Sequence, residues 1–389
     1  MENINKVLKR EVSRIKNNKP IFLLLFVMPF ALIIVFSLFF SKSKVTEIPI
    51  AVVDKDGSQI STLLQNYLNS SESLDITETA GSIEEVEELI LQNKVDGALI
   101  IGNSFYKDLK KGKQANLTFI INAANLIKSN LMYKNVLQVV KTVSGGVLLK
   151  KLRSKGLTEN AAMGIIKPIN IDTQILYNSN LSYSTYLVPA LTMVMLQIVV
   201  MLVGVLVLSK EYAENTINNL FQVANKKLTA IIIGKSLPYL AIILFIVISY
   251  IFIFFPLFNL PSAGNTFGFF ILTYAFMVIS FFAALGAGAV LKDPVFSTEL
   301  TIFFTTPAFI FSGVTFPIIA MPLFHKIYAH LIPFTFYVKG FMKVYLMGVP
   351  TIKIIGELFI ITIFGIVGLA AASFVIYRSI RTFKPEIGN

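Results

Sequence analysis

Six long apolar runs constrain the fold of this sequence more than any other feature. The first, residues 21–40, is long enough to cross a hydrocarbon core of about 30 Å as a helix. Because 55% of the residues are hydrophobic and only 14% are charged, the chain is too apolar for an ordinary soluble protein. We therefore predict an α-helical polytopic membrane protein whose six transmembrane helices are residues 20–41, 183–208, 228–258, 267–291, 297–316 and 354–377.

The basic residues predict how these spans are oriented. Basic side chains in short loops favour the cytoplasmic side of a membrane. Lys226 and Lys227 lie between the second and third spans, Lys292 lies between the fourth and fifth, and a basic tail at 378–389 follows the sixth. Both termini are therefore predicted to be cytoplasmic. Four lysines conflict with this arrangement because they fall on the outer side: Lys326, Lys339, Lys343 and Lys353.

The formal net charge of +12 does not indicate nucleic acid, because many of the basic residues flank apolar runs instead of forming one folded face. Their placement predicts contact with the anionic headgroups of the lipid bilayer. Residues 1–19 combine six basic residues with a roughly helical recurrence of Ile4, Leu8, Val12 and Ile15. They predict a basic amphipathic helix on the cytoplasmic membrane face, with a solvated helical tail as the alternative.

Residues 42–182 have the composition of a water-facing α/β domain inserted after an uncleaved first span. Short apolar strands at 48–53, 74–79, 97–101 and 117–121 alternate with helical patterns. Residues 126–155 predict a long helix, interpreted as a stalk that returns the chain to the membrane. The orientation of the spans makes this domain extracytoplasmic. The absence of cysteine excludes disulfides and thiolate chemistry.

The sequence offers no residues for catalysis, for a cofactor or for a metal. Gly234, Lys235 and Ser236 resemble the end of a phosphate-binding loop, but the required earlier glycine is Thr229. Close helix packing at Gly234 and interfacial anchoring by Lys235 are the simpler interpretations. His325 and His330 are five residues apart, which matches no common zinc spacing. We therefore predict that the chain is not an enzyme.

A polar segment follows the second span and is a candidate docking element. It contains Glu211, Glu214, Asn215 and Thr216, followed by the apolar Leu220. Carboxylates and amides beside an apolar anchor suit contact with a partner protein. An ordinary solvated connector is an equally weighted alternative.

The segment after the fifth span is apolar but repeatedly broken by proline. Pro317, Pro322 and Pro333 interrupt helical continuity within residues 317–348. Broken helices are tolerated at membrane depth when they are buried in protein or line a cavity. We therefore predict a re-entrant helical hairpin on the outer side. The alternative is a loose outer loop, which the apolar composition disfavours.

At these two places the sequence resembles the membrane permeases of ABC-2 type exporters. The first motif corresponds to Glu211, Thr216, Leu220, Gly234, Lys235, Leu237 and Pro238, and the second to Ser312, Gly313, Phe316, Pro317, Met321, Pro322 and Pro333. The order of the spans and the inserted domain also agree. Asn215 stands where the family usually has glycine, and Asn225 stands near a usual proline.

The resemblance implies that residues 209–227 form a coupling helix that contacts a separate ABC ATPase, which binds MgATP while this chain holds no cofactor. Six spans would form half of a pathway, which implies a second permease chain in a homodimer or a close heterodimer. Gly234, Lys235, Pro238, Gly313, Pro317, Met321, Pro322 and Pro333 would be structural or gating residues. The outer domain would gate the exit or receive a periplasmic adaptor that leads to an outer-membrane channel.

The predicted function is thus that of an export permease in the bacterial cytoplasmic membrane. Drugs, lipids, peptides, polysaccharides and ions all stay open as substrates. The alternative from another class is a membrane-anchored receptor or phage-binding surface protein whose outer domain carries the function. A secondary transporter would need ionisable residues at bilayer depth, whereas Glu299 and Glu357 lie near span ends.

Overall fold

The computed structural model describes residues 1–39, 46–171, 173–178, 183–257, 260 and 264–382. The chain divides into two compact units. One consists of Met1–Ser43 with Ile175–Asn389, and the other of Lys44–Gln174. The first contains the apolar spans, and we call it the membrane unit. The second contains a β-sheet, and we call it the α/β unit.

The α/β unit is built on a four-stranded sheet in the order β2-β1-β3-β4. The strands are β1 (Ile48–Asp54), β2 (Leu74–Thr79), β3 (Gly97–Ile101) and β4 (Leu117–Ile121), which confirms the four predicted strand positions. β1 pairs in parallel with β2 and β3, and β4 pairs antiparallel with β3. The two central strands are almost wholly buried and continuously apolar, as expected for strands covered on both faces.

Helices cover both faces of this sheet. They are Gln59–Asn69, Ile83–Leu91, Phe105–Lys110, Leu126–Ser154 and Glu159–Ile166. Val86 packs on one face, while Leu64, Met132 and Val136 pack on the other. The interpretation of residues 126–155 as a stalk needs correction, because the first half of that helix belongs to the core of the unit. Its residues Met132, Val136, Val139 and Val143 are buried.

The membrane unit contains six helices in the described residues that are long and apolar enough to cross a bilayer. They are Lys19–Leu38, Thr185–Ala213, Leu228–Leu257, Thr266–Leu291, Pro294–Phe311 and Thr351–Thr382, here called spans 1 to 6. Span 2 continues beyond the predicted end at residue 208. Span 5 begins and ends earlier than predicted, because Asp293 caps its first turn and Gly313, at φ +92°, follows its end. The predicted end of span 1, residues 40–41, lies outside the described residues.

Span 4 is the central helix of the unit, and glycines let its neighbours approach closely. A Cβ atom on Gly286 would lie 2.3 Å from the carbonyl oxygen of Gly368 in span 6. A Cβ atom on Gly288 would lie 2.2 Å from the carbonyl oxygen of Val205 in span 2. Small residues at helix contacts are typical of membrane proteins, where helices associate by close packing.

Two prolines inside the spans are accommodated by wider helical turns. π-Helical turns at Leu23–Val27 and Tyr250–Phe254 each end two residues before a proline, Pro29 or Pro256. Proline clashes with the carbonyl group four residues earlier and cannot bond it. The wider turn relieves this conflict, so both helices continue past the proline.

Residues 317–348, which we call the proline segment, fold into short consecutive helices. The structure has a 3₁₀ turn at Ile318–Ala320, helices Leu323–Leu331 and Pro333–Phe341, and a π-helical turn at Met342–Leu346. The prolines begin helices: Pro322 caps the first helix, and Pro333 is the first residue of the second. The second helix is buried against span 4, where Tyr337 stacks on Phe276 at 4.5 Å.

Two of the four lysines that conflicted with the predicted orientation have local partners. The Lys343 ammonium donates to Glu357 Oε1 at 2.6 Å, and Lys339 lies 5.4 Å from the centre of the Phe336 ring. The first contact cancels a charge, and the second places a cation over an aromatic face. These residues are therefore accounted for by local contacts within the proline segment and span 6.

Candidate functional site

The predicted docking element, residues 209–227, is not one helix. Span 2 continues to Ala213, a turn follows, and a short helix spans Ile217–Val223, which we call the linker helix. Asn215 and Asn225 both have left-handed backbones, with φ of +55° and +50°. Asparagine is the residue that most readily replaces glycine in this conformation, which explains why Asn215 fits where the family usually has glycine.

Glu211, in the last turn of span 2, is the centre of a set of ion pairs. Arg10 of the N-terminal helix (Glu2–Asn17) donates to both Glu211 oxygens, at 2.6 and 2.9 Å. Lys235 of span 3 donates to Oε1 at 2.8 Å, and Arg14 also forms a salt bridge with this carboxylate. The hydroxyl of Thr216 donates to Oε2. Glu211 is completely buried, so these partners replace all of its solvent.

Glu11 forms the second half of the same set. Lys235 donates to Glu11 Oε2 at 2.6 Å, and the hydroxyl of Tyr239 donates to Oε1 at 2.7 Å. Glu11 and Lys235 are each only 1% exposed. Lys235 therefore lies between two carboxylates, one from the N-terminal helix and one from span 2. We call Arg10, Glu11, Arg14, Glu211 and Lys235 the buried charge network.

Glu214 completes the charge balance at the edge of the network. Arg14 donates to Glu214 Oε2 at 2.6 Å, and the Glu214 side chain is 48% exposed. Three cations thus face three carboxylates. Burial lowers the pKa of Arg10, but its hydrogen bonds to Glu211 and the negative charge of Glu211 outweigh burial and hold that pKa above its ordinary value. Each of the three basic side chains has at least one carboxylate partner.

Two residues of the network, Glu211 and Lys235, have positions different from those that the sequence predicted. Glu211 was expected to contact a partner protein, but its buried carboxylate is turned inward and joins three elements of this chain. Lys235 was expected to anchor the helix at the membrane interface, but burial removes it from any interface and two carboxylates bind it. Gly234 does serve close packing, because a Cβ atom there would lie 2.7 Å from Val7 Cβ. The neighbour is the N-terminal helix, not another span.

The remaining predicted residues of this region have different positions. Leu220 is fully buried and anchors the linker helix, whereas Asn215 is exposed. Thr216 bonds Glu211 from a partly buried position. Pro238 lies inside the helix Leu228–Ser249 without ending it.

The second group of predicted residues lies around the proline segment. Met321 and Pro322 line an apolar cavity of about 150 Å³, together with Phe316 and His325. His325 stacks on Phe311 with ring centres 5.3 Å apart. Gly313 and Pro317 form the turn that leads into the segment, and Pro333 begins its buried helix. Among the described residues, no group of three or more His, Cys, Asp or Glu side chains is placed to hold a metal ion.

Sequence reasoning missed Arg10, Glu11, Arg14 and Tyr239 as members of the site. The apolar recurrence at Ile4, Leu8, Val12 and Ile15 suggested one face of the N-terminal helix, but the buried stripe is Val7, Glu11 and Ile15. The sequence did contain a signal for this face, because Glu11 lies four residues after Val7 and four before Ile15. The helix turns this stripe toward span 3 and the linker helix, so the protein, and not the lipid surface, covers it.

Comparison with known proteins identifies the family of the chain. Residues 19–374 match the profile of the family described as ABC-2 family transporter protein. The chain is also similar to the protein named "Probable multidrug ABC transporter permease YbhR" in Escherichia coli strain K12 and in strain O157:H7. Each is 24% identical over 304 residues, which cover 76% of this chain and 77% of the relative. The resemblance to ABC-2 type permeases is therefore confirmed, and the chain belongs to the ABC-2 family of transporter proteins.

Proposed function

We propose that this chain is the permease subunit of an ATP-driven exporter in the bacterial cytoplasmic membrane. A separate ATP-hydrolysing subunit binds MgATP and docks on the segment between spans 2 and 3, with both termini of the permease on the same cytoplasmic side. A second permease chain, identical or closely related, completes the pathway. The observation that carries this proposal is the buried charge network.

The network gives the docking region a mechanical connection to the spans. Glu211 belongs to span 2, Lys235 to span 3, and Arg10 and Glu11 to the N-terminal helix. Separating any of these groups would leave a buried charge without its partner, which costs several kcal/mol. A displacement of the linker helix is therefore passed to spans 2 and 3 together instead of being absorbed by a flexible loop.

The outer side of the proposed transporter consists of the α/β unit and the proline segment. The buried helix Pro333–Phe341 fits a re-entrant position, because its aromatic side chains pack against span 4. The helix Leu323–Leu331 before it exposes Leu323, Phe324, Ile327 and Leu331, which suits contact with lipid. The α/β unit then faces the outside, between spans 1 and 2.

Drug-like organic molecules are the substrates that we propose first. The support is the name of the relatives, which describes a probable multidrug transporter, together with the apolar lining of the cavity beside Met321 and Pro322. The apolar lining is typical of sites for such molecules, and at about 150 Å³ the cavity has room for part of a drug-sized molecule.

The test is transport by the purified chain in proteoliposomes, with and without an ATP-hydrolysing subunit identified by co-purification. We expect accumulation of a fluorescent drug only when both proteins and ATP are present. Tyr239→Phe, which removes one hydrogen bond from Glu11, should lower transport per ATP hydrolysed severalfold, whereas the exposed Tyr377→Phe should not. Transport by the isolated chain without any ATPase would refute the proposal.

A further inference from the structure

The outward face of the linker helix consists of carboxamide side chains. Leu220, Phe221 and Ala224 are buried, which leaves Asn218, Asn219 and Gln222 exposed on the opposite face. Spacings of three and four residues place Gln222 on the same face of the helix as Asn218 and Asn219. Asn215 and Asn225 are exposed in the left-handed turns before and after the helix. We call Asn215, Asn218, Asn219, Gln222 and Asn225 the carboxamide stripe.

The stripe has unused hydrogen-bonding capacity. Within the described part of the chain, none of its five side-chain amides forms a hydrogen bond. Each amide offers two N–H donors and one carbonyl acceptor. Asparagine is also a weak helix former, so helix stability does not explain Asn218 and Asn219.

The two carboxylates beside the stripe already have partners in this chain. Glu211 is buried within the charge network, and Glu214 accepts a hydrogen bond from Arg14. The stripe itself carries no charge. The partner surface that meets these five amides should therefore offer neutral donors and acceptors, because a charged group would be desolvated there without a counter-ion. The exposed Lys226 and Lys227 follow the stripe in the sequence and are not part of it.

We infer that the ATP-hydrolysing subunit receives the carboxamide stripe in a neutral groove lined by backbone, hydroxyl and amide groups. This inference rests on the proposed function and specifies the chemistry of its docking surface. Docking through ion pairs is the competing arrangement, and Lys227, exposed at the start of span 3, would be its natural contributor. The two arrangements differ in their dependence on salt, because ions screen charge pairs but not neutral hydrogen bonds.

The first measurement is the Kd of the same ATP-hydrolysing subunit for the full chain in zwitterionic nanodiscs. We expect the Kd to change less than about threefold between 50 and 500 mM NaCl, as neutral docking requires. A weakening of about tenfold or more would overturn the inference while leaving the proposed function intact. Absence of binding at every salt concentration would instead refute the proposed function.

The second measurement uses the double variant Asn218→Ala/Asn219→Ala. Alanine favours the helix, so the fold should be retained while two amides are lost. We expect binding to weaken about tenfold, the loss that two hydrogen bonds would produce. The matched control is Asn160→Ala, an exposed amide of the α/β unit, which should bind as the unchanged chain does. Unchanged binding by the double variant would overturn the inference.

Discussion

The buried charge network and the proline segment are held in place by different physical means. In the network, five charged side chains are fixed by short, directional ion pairs between three elements. In the proline segment, the rings of Phe334, Tyr337, Phe341 and Tyr345 form a stacked series along the helix Pro333–Phe341 and the π-helical turn after it, with neighbouring centres 4.9 to 6.2 Å apart. Ion pairs of this kind tolerate no missing partner, whereas aromatic packing is distributed over many contacts.

This difference predicts which substitutions each region should tolerate. Removing one charge from the network leaves others buried without a partner. Replacing one ring by a similar apolar group leaves most of the packing of the proline segment in place. The following predictions test this comparison, from the largest expected effect to the smallest.

Lys235→Met should have the largest effect, because it leaves both Glu11 and Glu211 without their shared cation. We expect a loss of about 3–5 kcal/mol in the free energy of unfolding. The measurement is the thermal unfolding of purified protein in detergent. The double variant Glu11→Gln/Lys235→Met should recover part of the loss, while the exposed Lys227→Met should change little. Equal stability of Lys235→Met and Lys227→Met would contradict the importance of the network.

Gly264→Ala tests whether one close backbone contact beside the proline segment is as sensitive to substitution as the charge network. A Cβ atom at Gly264 would lie 2.0 Å from Gly348 Cα, and Gly264 has φ +51°. We expect destabilisation by about 3 kcal/mol, from steric overlap and left-handed backbone strain. Gly356→Ala is the control, because a Cβ atom there has no neighbour within 4 Å. If Gly264→Ala were as stable as the unchanged protein, the backbone at Gly264 and Gly348 would have to shift readily to accommodate the added methyl group.

Phe341→Leu should have a smaller effect, because leucine keeps an apolar side chain against span 4. We expect a loss of about 1 kcal/mol, measured by the same thermal unfolding. Phe304→Leu, at an exposed position of span 5, is the matched control and should be neutral. A loss as large as that of Lys235→Met would mean that the aromatic series is as intolerant as the charge network.

Lys343→Met should have the smallest effect, although it also removes an ion pair. The Lys343 side chain is 40% exposed, so solvent screens its contact with Glu357. We expect a change of no more than about 1 kcal/mol. The comparison with Lys235→Met separates the effect of burial from the effect of losing a lysine, and similar losses for both would argue against burial as the cause.

Local patterns in the sequence were sufficient for much of the fold. The four strands of the α/β unit were predicted at their observed positions, because apolar runs of strand length bounded by turn residues are a local signal. The polar segment between spans 2 and 3 was also recognised from the sequence, and its docking role stays a prediction. Its division by the left-handed turns at Asn215 and Asn225 was not predicted, because only the tertiary contacts of Leu220 and Phe221 fix the direction of these turns.

The six apolar spans and the family motifs were determined by the sequence itself, since span length and hydrophobicity depend only on neighbouring residues. Only the tertiary structure showed that Lys235 is buried and not interfacial, because its partners Glu11 and Glu211 are 224 and 24 residues away along the chain. The pairing of distant charges depends on how helices pack, which no local pattern encodes. For the same reason, the inward position of Glu211 and the outward position of the carboxamide stripe became apparent only in the folded chain.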